Sequence, residues 1–232
     1  MENKIILFAV WGMLLGFILP FFSGRFGKLI PADPGEIILR LFHRPRIPHK
    51  KNGQRYLLWK KIRNKLYYWG FFWAGLCAVL FALVSLLIPA PLQILACLFI
   101  WIVCASIIVD ALYCLLPDFF TLPLLLLGIL FATQSASFSV EMALAGAFSG
   151  YLVSILSVLA LAFSPKKELG CGDVKMITAL GSWLGVIGLS STLILSFLFF
   201  VLFSALNIHK KGAYGPALGV AAFISFFLIH MK

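Results

Sequence analysis

From Trp69 to Met231 the chain runs almost without interruption through apolar residues. The runs are close to the 20 residues that a helix needs to cross the hydrocarbon core of a bilayer. In lipid every backbone N–H and C=O must be satisfied within the segment, so such runs fold as helices. They are read at 5–22, 69–88, 92–109, 119–133, 142–163, 174–187, 189–206 and 217–231, the sixth and eighth being short. The first is too long for the apolar region of a signal peptide, and no Ala-x-Ala-like site follows it. It is therefore read as a span. The prediction is an all-α, polytopic membrane protein of about eight transmembrane helices. Residues 1–91 form an N-terminal part with two spans and a basic loop (23–66), and 92–232 form a six-helix core. The run at 142–163 is rich in small residues, among them Ala145, Gly146, Ala147, Ser149 and Gly150, which let helix backbones approach closely.

Charge is scarce and unevenly placed. Of the 232 residues 62% are hydrophobic and 12% charged, against about 45–50% and 25% in soluble domains. This excludes a soluble enzyme and a disordered chain. The formal net charge is +11, from 19 Lys and Arg against 8 Asp and Glu. A nucleic-acid-binding domain would carry such an excess on a soluble basic face. Here it lies between apolar runs, and no nucleic-acid partner is expected. Alternating spans place 23–66, 111–118, 164–172 and 209–212 on one side, and three of these loops hold 17 of the 19 basic residues, counting Lys175 at a loop edge. The positive-inside rule makes that side cytoplasmic and puts both termini outside. The 23–66 loop, with short amphipathic helices near 36–42 and 56–66, is expected to bind anionic lipid headgroups.

The eight acids carry the functional signal. Glu2 and Glu141 lie outside, Asp33 and Glu36 in the basic loop, and Glu168 beside Lys166 and Lys167. Asp110, Asp118 and Asp173 remain, all where a span meets the cytoplasmic side. Asp110 ends a long apolar run, where a carboxylate is expensive and is a functional hypothesis by default. Asp118 follows Pro117, which suits a first helical turn. It reads equally well as a helix-start carboxylate and as a catalytic one. Asp173 closes Gly170-Cys171-Gly172-Asp173, where glycines permit close backbone approach. Alone this motif reads as a loop and a helix cap. Two carboxylates brought together share one proton, so one serves as acid and the other as base. Such a pair activates water against a peptide bond without a metal or a Ser or Cys nucleophile.

The pattern Asp110-x5-Leu116-Pro117-Asp118, with Gly170-x-Gly172-Asp173-x-Lys175, resembles the type IV prepilin peptidases, the GxGD aspartyl proteases of bacterial inner membranes. The stretch 179–185 and Tyr214-Gly215-Pro216 add to the likeness, which covers roughly 92–231. The resemblance implies a hydrolase that removes a short basic leader from type IV pilins or type II secretion pseudopilins at the cytoplasmic face. It puts catalysis on Asp110 and Asp173, with Asp118, Pro117, Gly170, Gly172 and Lys175 supporting. Lys175 holds a substrate carboxylate or tunes Asp173, or else snorkels to the interface. Many relatives also N-methylate the new N-terminus with S-adenosylmethionine, a role linked to an N-terminal part that is short and divergent here.

Zinc is not expected, because the loop at 23–66 lacks the paired CxxC motifs of many members. His43, His49, His209 and His230 are scattered and read as interface histidines. Two other readings use the same residues. A proton-coupled transporter would relay protons through its membrane acids, but such proteins show internal repeats and midplane acids, and neither is found here. A catalytically degenerate scaffold sits poorly with an intact Asp pair.

Overall fold

A computed structural model describes residues 2–26, 53–114, 116–162, 171–205 and 214–230. Its helices are α1 (Glu2–Phe26), α2 (Gly53–Leu87), α3 (Gln93–Tyr113), α4 (Asp118–Gln134), α5 (Val140–Ala162), α6 (Cys171–Ala205) and α7 (Gly215–His230), with one 3-10 turn at Ala90–Leu92. No strand occurs among the described residues. By length and composition α1, α2, α3, α5 and α6 can each cross a membrane, and α4 and α7 are shorter apolar helices. The protein is an all-α, multi-pass membrane protein. It divides into two compact units, Met1–Ala82 and Leu83–Lys232.

In the first unit α1 and α2 run antiparallel. Gly12 faces the Cys77 carbonyl and Gly16 the Trp73 carbonyl so closely that a Cβ would stand 2.5 and 2.4 Å from those oxygens. Small residues at such crossings let backbones meet where lipid supplies no hydrophobic drive. The helix expected over 56–66 and the span expected over 69–88 are one continuous element. No helix breaker separates them, so the hydrogen-bonded ladder propagates through the change in polarity. The amphipathic segment expected near 36–42 lies outside the described residues.

In the second unit α3 is the central rod, with most of its side chains from Leu95 to Asp110 buried. At its start Gln93 donates to the Ile88 and Ser85 carbonyls, 2.9 and 3.1 Å away. These carbonyls lie at and just beyond the end of α2, where helices leave acceptors short of donors. Helix α4 is registered against α6 by Trp183 Nε1 donating to the Leu124 carbonyl at 2.7 Å and Ser182 Oγ donating to the Leu125 carbonyl at 3.2 Å. Trp183 is fully buried, with Phe99 and Phe131 at ring distances of 4.7 and 5.1 Å.

Helix α6 is broken at Gly185, whose φ of 65° and ψ of −174° belong to a region open almost only to glycine. The limbs 171–184 and 186–205 fold back on each other. A Cβ on Gly150 of α5 would meet the Ile177 carbonyl at 2.9 Å and Leu189 Cδ2 at 3.0 Å. In a straight helix those two residues would stand about 18 Å apart. The sequence reading expects two spans here with the break after Ile187. The structure breaks at Gly185, because the turn needs the residue whose backbone can adopt that conformation. His230, expected at an interface, is instead buried, and its Nε2 donates to the Trp183 carbonyl at 2.9 Å. That carbonyl lies in the last turn before the break, where acceptors lack helical partners.

Candidate active site

This topology collects helix ends. The C-terminus of α3 and the N-termini of α4, α6 and α7 come to one end of the second unit. Asp110 lies in the last turn of α3, not beyond it, and is 5% exposed. The helix stops at Cys114, whose φ of 53° is left-handed and whose N–H donates to the Asp110 carbonyl at 2.8 Å. Leu116 and Pro117 then lead into α4. Pro117 caps that helix from just outside, with its carbonyl accepting from the Phe120 N–H at 3.0 Å, and Asp118 is the first helical residue. A carboxylate is favoured there by the helix dipole.

Asp173 lies in the first turn of α6 and is partly exposed. Gly172 beside it packs on the segment that joins α3 to α4: a Cβ there would stand 2.8 Å from Leu116 Cβ and 3.1 Å from its carbonyl oxygen. The close approach expected of the motif's glycines is thus made by Gly172, against the other aspartate motif. Gly170 lies outside the described residues. Lys175 Nζ donates to Asp118 Oδ1 at 2.6 Å, an ion pair with side chains 44% and 56% exposed. It ties the start of α6 to the start of α4.

Two further groups reach this end from the start of α7. The Gly215 N–H donates to Asp110 Oδ2 at 2.8 Å in a buried contact. The Tyr214 hydroxyl is hydrogen-bonded to Ser196 Oγ on the second limb of α6. Burial pushes the Tyr214 hydroxyl above its usual range, the Ser196 bond opposes this, and the nearby charge of Asp173 adds to the rise. Tyr214 therefore lies within the electrostatic reach of Asp173, and its neighbour Gly215 touches Asp110. Sequence reasoning registered Tyr214-Gly215-Pro216 only as part of a likeness. A Gly-Pro pair opening a short helix was the available signal. Among the described residues no group of three His, Cys, Asp or Glu side chains could hold a metal ion.

The arrangement offers one buried and one partly exposed carboxylate at the ends of two helices, with a fixed amide on the buried one. Residues 96–206 match the Type IV leader peptidase family. Relatives named prepilin leader peptidase/N-methyltransferase include one from Aeromonas hydrophila, 36% identical over 154 residues, or 62% of this chain and 52% of that protein. Another, from Dichelobacter nodosus, is 35% identical over 158 residues, covering 65% and 54%. A third, from Klebsiella pneumoniae, is 43% identical over 90 residues, covering 38% and 39%. The chain thus spans about half the length of the first two of these curated relatives. No solved structure gives a significant match. The stretch that matches this family, residues 96–206, is the one that carries Asp110, Asp118 and Asp173.

Proposed function

We propose that this protein is an aspartyl endopeptidase of the bacterial inner membrane that removes the short basic leader of type IV prepilins or pseudopilins. The observation that carries this reading is the joining of the two aspartate motifs. Gly172 packs on Leu116, Lys175 pairs with Asp118, and the Gly215 N–H meets the carboxylate of Asp110. A transporter reading has no comparable support, because these acids lie at helix ends and not at mid-depth.

In this reading Asp110 and Asp173 share one proton. The ionised member takes a proton from water as the water oxygen adds to the scissile carbonyl carbon. The protonated member gives its proton to the carbonyl oxygen. Collapse of the tetrahedral intermediate breaks the C–N bond: the leaving nitrogen takes up a proton from the pair, one hydroxyl of the intermediate gives its proton back to the pair, and the two aspartates again share one proton. The site end is the cytoplasmic end, the side on which the basic loops 23–66, 164–172 and 209–212 place it. Both termini then lie outside, and the 23–66 loop meets anionic headgroups.

The relatives' second named activity, N-methylation, would draw its methyl group from S-adenosylmethionine. No step above passes through that cofactor.

The test is co-expression with a prepilin in membranes, with leader removal read by gel shift. Asp110→Ala and Asp173→Ala are each expected to abolish cleavage while the protein still inserts. Full cleavage by either variant would sink the mechanism. Mass spectrometry of the mature N-terminus reports the cleavage position and separates cleavage alone from cleavage plus one methyl group.

A further inference from the structure

The first N–H groups of a helix have no partner within it. In α7 one of these donors, Gly215 N–H, is spent on a side chain 105 residues away, Asp110 Oδ2, at 2.8 Å. Hydrogen bonds from backbone N–H to an ionised carboxylate are among the strong ones. This one is buried, so water does not compete for it.

The contact needs glycine for space and not for conformation. Gly185 is the positive-φ glycine among the described residues, and Gly215 is not. A Cβ on Gly215 would stand 2.6 Å from Asp110 Oδ2 and 2.9 Å from Asp110 Cβ and Cγ. Any other residue would push the amide off the carboxylate. One turn on, Gly219 repeats the close approach, and a Cβ there would stand 2.4 Å from Ile107 Cδ1. The Gly-x3-Gly face thus lays α7 tightly on α3.

The donor is also held from behind. The Tyr214 carbonyl accepts the Leu218 N–H at 3.1 Å, and its hydroxyl is bonded to Ser196. Pro216 fixes the backbone φ immediately after Gly215.

We infer that Gly215 is a positioning residue for peptide cleavage: its N–H, anchored through Tyr214 and Ser196, fixes the rotamer of the Asp110 carboxylate. With Oδ2 held, Asp110 cannot turn about its Cβ–Cγ bond without losing a buried hydrogen bond. This inference rests on the peptidase reading above.

The test uses the full chain and a purified prepilin. Gly215→Ala is expected to lower kcat by about 100-fold, the scale of a 1 Å misplacement at a reacting centre, with KM changed by less than about threefold. Tyr214→Phe keeps the ring, loses the Ser196 bond and is expected to lower kcat about three- to tenfold. Gly75→Ala, where a Cβ would meet nothing within 4 Å, is expected to match the wild type. Wild-type kcat in Gly215→Ala, or a raised KM at unchanged kcat, would overturn the inference.

A second measurement needs no activity and covers a Gly215→Ala chain that fails to fold. Tyr214–Gly215 is the chain's one Tyr-Gly pair, so carbonyl-13C tyrosine with 15N glycine yields a single amide signal. Its proton is expected to move upfield in Asp110→Ala and to hold in Asp118→Asn. An amide indifferent to Asp110 would also overturn the inference. A wild type that cleaves no prepilin while its amide responds to Asp110 would instead overturn the peptidase reading, and the positioning role with it.

Discussion

Gly181→Ala tests whether the packing of α5 on α6 sets the geometry of the site. A Cβ on Gly181 would stand 2.2 Å from the Gly146 carbonyl oxygen, 2.5 Å from its carbon and 2.9 Å from the Ala147 nitrogen. All three are backbone atoms, so no side chain can swing away. The helices must separate by about 1 Å to reach an ordinary van der Waals distance. Overpacking of this kind costs about 1–3 kcal/mol. The first limb of α6 also carries Asp173, two turns upstream, while Asp110 stays on α3. A displacement of about 1 Å at a reacting group costs about 100-fold in rate. The expected result is a helical protein with a lower unfolding temperature in detergent and cleavage of a prepilin down about 100-fold. Thermal unfolding by circular dichroism and initial cleavage rates read the two effects separately. A variant with the unfolding temperature and rate of the wild type would refute the idea that this crossing positions Asp173.

The Lys175–Asp118 pair is half exposed, and such pairs contribute no more than about 1 kcal/mol. In a double-mutant cycle on thermal stability, Lys175→Met and Asp118→Asn are expected to couple by less than about 1 kcal/mol, and less again at high salt. Cleavage by Lys175→Met is expected to fall by less than about fivefold. A much larger loss would assign Lys175 a direct contact with substrate. Gly185→Ala forces a side chain into a backbone region open almost only to glycine, at about 1–3 kcal/mol. A Cβ there would also press on the Phe138 ring at 3.2 Å. It is expected to lower the unfolding temperature, and an unchanged value would mean that the α6 turn does not need that conformation.

Much of the fold was legible before any coordinates. Hydropathy is a property of consecutive residues, so runs of about 20 apolar residues announce helices whatever they pack against. The same holds for the aspartates: a carboxylate at the end of an apolar run is conspicuous in one dimension. Asp118 as a helix-start residue and Gly172 as a point of close approach follow from local chemistry, although the partner of Gly172, Leu116, does not. The sequence by itself thus determined an all-α membrane protein with two aspartate motifs at the edges of its spans. Tertiary structure decided the rest. It put the turn in α6 at Gly185, whose φ is positive, and not after Ile187. It buried His230 against a carbonyl that the turn leaves short of a donor. It placed Lys175 on Asp118, and it brought the N–H of Gly215 to Asp110 across 105 residues. A hydrogen bond of that span has no local signature. Its partners are set by where helix ends meet, and that follows from the packing of the whole bundle.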